Sequence, residues 1–376
     1  MTSLNLRSDL RKALGFVSNP KFERREPRDN DFDSFLSLIA NLHKENSDFF
    51  STYDYEWTLK RDSYNSPIEA YYQFRILNVL STLPLDQLAE QQCEDIVVRI
   101  VPRARSRAYA RKVGKYRVIA TTTGHTVSLE LFISLWLKGT SLGYSISGNA
   151  PKNYNDAAAN FMIALRSAEE KMVNSVNVYV AYLLTLLDNE VPSAAASNIF
   201  ADKELFVPGW QSEMEQRENL WASAEGFVLF HELAHVMSGH IESSSERSNA
   251  LEVDVDSVGL QLSEVDNSRH GGSAATLGAC IFFFNEMLLT LYEEAVEANL
   301  GNYDPEGESH QSVFELMLRT CHHKKYFEAD SNSPGLIPCK EAYHAMSMVF
   351  ASVKWFAMSR WGSESSLYEF VLREST

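Results

Sequence analysis

Apolar residues recur at helical spacing along most of this chain, and at strand spacing in one short region only. The pattern at 32–42 predicts a short helix, after a polar and charged lead-in over 1–32. Ser66-Pro67-Ile68-Glu69 has the form of a capping box with proline at the first helical position. It opens a helix that reaches about Leu83, just before Pro84. Two runs rich in β-branched residues, 95–101 and 116–122, read as strands. Helical periodicity returns at 126–138, with a stop expected at Gly139 and a loop over 143–151. It resumes over 155–188, and a loop containing Pro192 and Pro208-Gly209 follows. Further helices are expected through Phe227 to Gly239, over 248–262 and over 273–300, with two amphipathic helices in the tail, 339–374. The fold class expected is mainly α with a small β-sheet (α+β). In chain order, 1–32 is a lead-in and 33–205 a helical N-terminal region with a basic β-hairpin near 95–123. Residues 206–330 form the core, and 331–376 give C-terminal helices packed on it.

Composition narrows the classes. Of 376 residues, 45% are hydrophobic and 22% charged, enough apolar material for a large buried core. Fifty acidic residues against 34 basic ones leave a net charge of −16, which argues against general nucleic-acid binding. The four cysteines form no Cys-x-x-Cys pair and read as free thiols in a reducing compartment, so a cytoplasmic location is expected. The N-terminal segment has no apolar signal-peptide core. The most apolar stretch, 272–292, is interrupted by Asn285 and Glu286. Charge near a bilayer centre is costly, so this stretch is expected to be a buried core helix and not a membrane span.

Eight basic residues fall between 99 and 117: Arg99, Arg103, Arg105, Arg107, Arg111, Lys112, Lys115 and Arg117. With no aromatic interleaving, they read as a solvated hairpin whose charges blunt an edge strand. The other reading is a basic patch for an acidic partner. His125 reads as a loop or cap residue.

The most informative residues are His231-Glu232-Leu-Ala-His235, inside the apolar run Phe227, Val228, Leu229, Phe230, Leu233, Ala234, Val236 and Met237. Residues four apart share one face of a helix, so both histidines can point at one cation, and Glu232 can reach a water on it. A catalytic zinc site commonly has three protein ligands. His240 follows the second histidine by five residues, which does not fit the metzincin spacing, and it reads as a helix-end residue where a cation is favoured. The better third ligand is Glu252, on a helix whose Leu251, Val255, Val258 and Leu262 face the core. Asp256, one turn on, can accept the N–H of a ligand histidine. Gly259 would let the two helices approach closely. Asp254 and Glu246 are alternative third ligands on the same segment.

H-E-x-x-H followed by a helix carrying E-x-x-x-D resembles the gluzincin group of zinc metallopeptidases. Glu252-Val-Asp-Val-Asp256-Ser-Val-Gly259 is similar to the E-x-x-A-D-x-x-G of the CaaX prenyl protease and HtpX/Oma types, with Val255 in place of alanine. The resemblance covers about 220–265. It implies a zincin-like core in which His231, His235 and Glu252 ligate Zn2+. Glu232 is then the general base, and Asp256 supports a ligand from behind. The chain is also similar in outline to bacterial peptidases of the Lit and ImmA/IrrE types. Ser309-His310-Gln311 resembles a later Ser-His-Pro element of the HtpX-like families, which implies His310 as an oxyanion donor with Arg319 in support. Tyr303 is a further candidate donor. The residues around His310 equally fit a capped helix start on the surface.

The function expected is a zinc-dependent intracellular endopeptidase acting on a protein or peptide substrate, with no nucleic-acid partner and no membrane span. A stress- or phage-response protease with one specific target is one form of it. By resemblance, one of the two strands would pair with an extended substrate. The alternative is a helical interaction protein with a non-catalytic H-E-x-x-H.

Overall fold

Ser66 caps the helix Pro67–Leu80: its Oγ accepts the backbone N–H of Glu69 at 3.3 Å, with Pro67 in the first turn. The computed structural model describes residues 29–52, 56–84, 95–101, 107–167, 211–241, 249–269 and 275–299, with isolated positions at 172–179 and 348–349. Within these, the helices are α1 (Asp29–Glu45), α2 (Ser47–Thr52), α3 (Pro67–Leu80), α4 (Thr123–Ser147), α5 (Tyr154–Arg166), α6 (Gln211–Met237), α7 (Asn249–Arg269) and α8 (Ala275–Asn299). The strands are β1 (Ile96–Val101), β2 (Ala108–Val113) and β3 (Tyr116–Thr122). The described part is mostly helical with one small sheet, as the periodicity predicts. Residues 29–32, expected to belong to the lead-in, are instead the start of α1; the rest of the lead-in, most of 339–374 and most of 168–210 lie outside the described residues.

The chain divides into two compact units that do not follow chain order. One is 1–126 with 226–272, and the other is 127–225 with 273–376. The segments expected from the sequence were contiguous instead.

In the first unit the sheet runs β1-β3-β2, with β1 parallel and β2 antiparallel to β3. β1 is buried along its whole length and is flanked by α3. Its outer edge is closed by side chains of that helix. Gln73 Nε2 donates to the carbonyl of Ile96 and its Oε1 accepts the N–H of Val98, both at 3.0 Å. Glu69 Oε1 accepts the N–H of Ile100 at 2.9 Å, while its Oε2 accepts the N–H of Asn65 at 2.7 Å. One carboxylate therefore ties a helix start to a strand edge. Buried backbone groups need such partners, and here a helix supplies what a further strand would supply.

Two expectations for this region change. β2 is a strand that the sequence reading did not separate from the turn, because its Arg111 and Lys112 face solvent on the edge. Arg99 is not part of a solvated hairpin. It is buried, donates from Nη1 to the Val98 carbonyl at 2.6 Å and lies 3.9 Å from Glu69. Position in β1, between helix and sheet, decides this. Arg107, Arg111, Lys112 and Lys115 are exposed, as a charged edge requires.

In the second unit, α4 runs through Gly139 and Gly143 to Ser147 instead of stopping at Gly139. These glycines mark a packing contact: a Cβ on Gly143 would collide with the Asn160 carbonyl oxygen on α5. His125 lies in the first turn of α4, where its N–H is accepted by Thr122 Oγ1 at 3.2 Å. In α8, Asn285 is fully buried. Its amide donates to Ser128 Oγ at 3.0 Å, and its Oδ1 accepts the Tyr179 hydroxyl at 3.3 Å. The polar interruption of the most apolar stretch is thus satisfied inside the protein. No described helix is long and apolar enough to cross a membrane.

Candidate metal centre

α6 carries His231, Glu232 and His235 into the core of the first unit. Phe227, Phe230, Leu233, Ala234 and Val236 are buried around them, so this part of the helix has no solvent face to spare. α7 crosses beside it. Val255 and Leu262 are buried, and Leu251 and Val258 half-buried, on the face that the spacing predicted. Gly259 packs against the motif itself: a Cβ there would stand 3.0 Å from both Cα and N of His231. Arg75 of α3 reaches Asp266 of α7 with Nη2–Oδ2 of 2.6 Å and Nε–Oδ2 of 3.0 Å. Its guanidinium lies over the rings of Tyr71 and Phe230. This buried ion pair fixes α7 from its far end, and no local sequence signal announced it.

The crossing brings Glu252 to the two histidines. Its Oε2 is 3.5 Å from His231 Nε2, and its Oε1 is 3.6 Å from His235 Nε2. One ligand atom from each residue lies within 4.8 Å of the others, and all three side chains are buried. Metal bonds of about 2.0–2.2 Å at a tetrahedral angle hold donor atoms roughly 3.3–3.6 Å apart. A direct charge-assisted hydrogen bond closes to about 2.7–2.9 Å. The two Glu252 separations, one from each carboxylate oxygen, are longer than a direct charge-assisted bond, and the three ligand atoms lie close enough together to hold a metal ion.

The outer nitrogen of each ring lies close to a polar neighbour. Asp256 Oδ1, on a fully buried side chain, lies 2.8 Å from His231 Nδ1. His240 Nδ1 lies 3.2 Å from His235 Nδ1. Burial pulls the pKa of His231 down, but contacts with Asp256 and Glu252 and the nearby charge of Glu232 outweigh it and raise it to about 9. Burial works against ionisation of Glu252. Its contacts with His231 and His235 outweigh this and hold the carboxyl well below the usual carboxylate range. Glu232 is buried next to His231, and its Oε2 has no hydrogen-bond partner among the described residues. Such an oxygen is costly unless water or a ligand meets it.

Of the residues singled out from the sequence, His231, His235, Glu252, Asp256 and Glu232 come together. Asp254 is exposed on another face of α7, which removes it as a ligand. Glu246, Tyr303, His310 and Arg319 lie outside the described residues. His240 lies just past the end of α6, as expected, and there burial and the neighbouring His235 push its pKa down. The spacing of five residues after His235 was the available signal, but its meaning depended on how the helix ends. Set against protein-family models, curated proteins and solved structures, the chain matches none.

Proposed function

We propose that this chain is a zinc-dependent peptidase of the gluzincin kind, with a zincin-like core built from α6 and α7. The observation that carries the reading is the convergence of His231, His235 and Glu252, with Glu232 buried beside them and its oxygen unpartnered. Two imidazoles and one carboxylate are the donor set of a catalytic zinc site that keeps a position open. A zinc ion held there supplies a Lewis acid that polarises a carbonyl and makes water acidic near neutral pH.

The chain's own residues do the rest. Asp256, 2.8 Å from His231 Nδ1, would hold the ring proton there, which would leave Nε2 free to bind the metal. Glu232 takes the proton of the attacking water and passes it to the leaving amine. Burial around Phe227 and Phe230 strengthens each of these charges by excluding solvent. His310, Tyr303 and Arg319 remain the sequence-based candidates for donating to the oxyanion. An extended substrate cannot pair with β1, because Gln73 and Glu69 occupy its edge. Strand pairing, if used, falls to β2.

The test is metal content and peptide hydrolysis of the wild type, Glu252→Ala and Glu232→Gln, purified without chelators. The expected result is near one zinc per chain in the wild type and Glu232→Gln, with none in Glu252→Ala. Hydrolysis is expected in the wild type alone. A wild type that takes up no zinc overturns the reading and leaves a helical interaction protein.

A further inference from the structure

His240 stands outside the candidate ligand set, yet its ring meets one of those ligands. α6 ends in a hydrogen-bond pattern that needs a left-handed residue. The N–H of His240 reaches back to the His235 carbonyl at 3.1 Å, and the N–H of Gly239 to that of Val236 at 3.1 Å. Gly239 has φ of 70°, which glycine adopts without the steric penalty of a side chain. This is a Schellman termination with His235 as the carbonyl acceptor. It reverses the chain so that residue 240 returns over residue 235. The two imidazoles then meet edge to face, with centroids 5.4 Å apart, rings inclined at 62° and Nδ1 atoms 3.2 Å apart.

We propose that His240 is a positioning residue for His235, accepting the Nδ1 proton and so committing Nε2 to the metal. The inference rests on the metal-site reading above. Its logic is proton bookkeeping on one ring. At 3.2 Å one of the two Nδ1 atoms donates and the other accepts. His235 Nε2 lies 3.6 Å from Glu252 and is the atom that turns to the site. A ligand nitrogen carries no proton, so the proton of a neutral His235 sits on Nδ1 and His240 Nδ1 receives it. His240 then carries its own proton on Nε2. Each ligand histidine thereby has its own outer acceptor, a carboxylate for His231 and a neutral imidazole for His235. Glycine at 239 belongs to the same device, because the backbone reversal brings the acceptor into place.

The experiment is zinc affinity of the full chain, measured by competition with a chromophoric chelator, for the wild type, His240→Phe, His240→Asn and Glu252→Ala. Phenylalanine keeps a ring against His235 and removes the acceptor. Asparagine places an oxygen near the position of Nδ1. Loss of an outer partner typically weakens metal binding by about 10–100-fold. That loss is expected in His240→Phe, with recovery to within about threefold of the wild type in His240→Asn. Far-UV circular dichroism of the metal-free variants should match the wild type, since the helix termination uses only backbone groups of residue 240. Wild-type affinity in His240→Phe, or equal losses in both His240 variants, overturns the inference while Glu252→Ala still loses zinc. A wild type that binds no zinc overturns this inference together with the metal-site reading.

Discussion

Gly259→Ala probes the contact on which the candidate site depends. A Cβ at 259 would stand 3.0 Å from Cα and N of His231 and 3.4 Å from the Phe230 carbonyl carbon. Ordinary carbon contacts are about 3.5–4.0 Å, so the two helices must give by a few tenths of an ångström. The atoms met belong to helix backbone, and no rotamer change relieves them. Glu252 lies two turns earlier on the same face of α7, about 10 Å along its axis, and the shift carries its carboxylate with it. Separations of 3.5 and 3.6 Å to the two imidazoles would then widen. Metal–ligand distances tolerate about 0.2 Å, so zinc affinity is expected to fall at least tenfold, about 1.4 kcal/mol.

Stability changes less, because two terms oppose. Alanine gains up to about 1 kcal/mol over glycine inside a helix, while overpacking costs about 1–3 kcal/mol. The net expectation is a loss of about 0–2 kcal/mol. The assay is chelator competition for zinc, with urea unfolding of the metal-free chain. Gln261→Ala, an exposed position on the same helix, is the control and should change neither quantity. Zinc affinity in Gly259→Ala within twofold of the wild type, together with a gain of about 1 kcal/mol in stability, would refute the close-contact argument.

Asp266→Ala strands the buried Arg75 guanidinium and should cost about 3–5 kcal/mol in urea unfolding, whereas an exposed substitution on α7 costs little. Gln73→Ala uncovers the Ile96 carbonyl and the Val98 N–H at a buried strand edge. A loss of about 1–3 kcal/mol per orphaned group is expected, with increased light scattering as the edge becomes available to other chains. The metal-free protein should lose stability as pH rises. The folded pKa of His231, about 9, lies above its ordinary 6.5, so its contribution is full below pH 6.5 and disappears as pH passes 9. Glu252 has the opposite sign: its lowered pKa contributes stability above about pH 4.5 that is lost on acidification. Urea midpoints between pH 6.5 and 9 should fall in the wild type and stay flatter in His231→Ala; the same slope in both would sink the assignment.

Local chemistry was enough for much of this molecule. Ser66, Pro67 and Glu69 specify a helix start within four residues, and the β-branched run 116–122 became β3 with the same bounds. His231 and His235 share a face by helical spacing alone, and Glu252 with Asp256 repeats the logic one helix later. Local rules misled where a residue's meaning depended on a distant neighbour. Gly139 looked like a helix stop because nothing nearby shows that α5 packs on it. Arg99 looked solvated because its partners, Glu69 and the covering helix, are far away in sequence.

The sequence by itself determined which side chains can bind a cation, because ligand type and helical spacing are properties of neighbouring residues. Helical spacing already favoured Glu252 over Asp254, but only the tertiary structure showed that Glu252 faces the two histidines while Asp254 is exposed, since that depends on how α7 is rotated against α6. It decided as well that His240 returns to His235, because a single left-handed glycine reverses the chain. Burial closes the account. Charges such as Asp256, Glu232 and Arg75 act at full strength where packed elements keep water out, and no stretch of sequence read alone shows which residues those elements will cover.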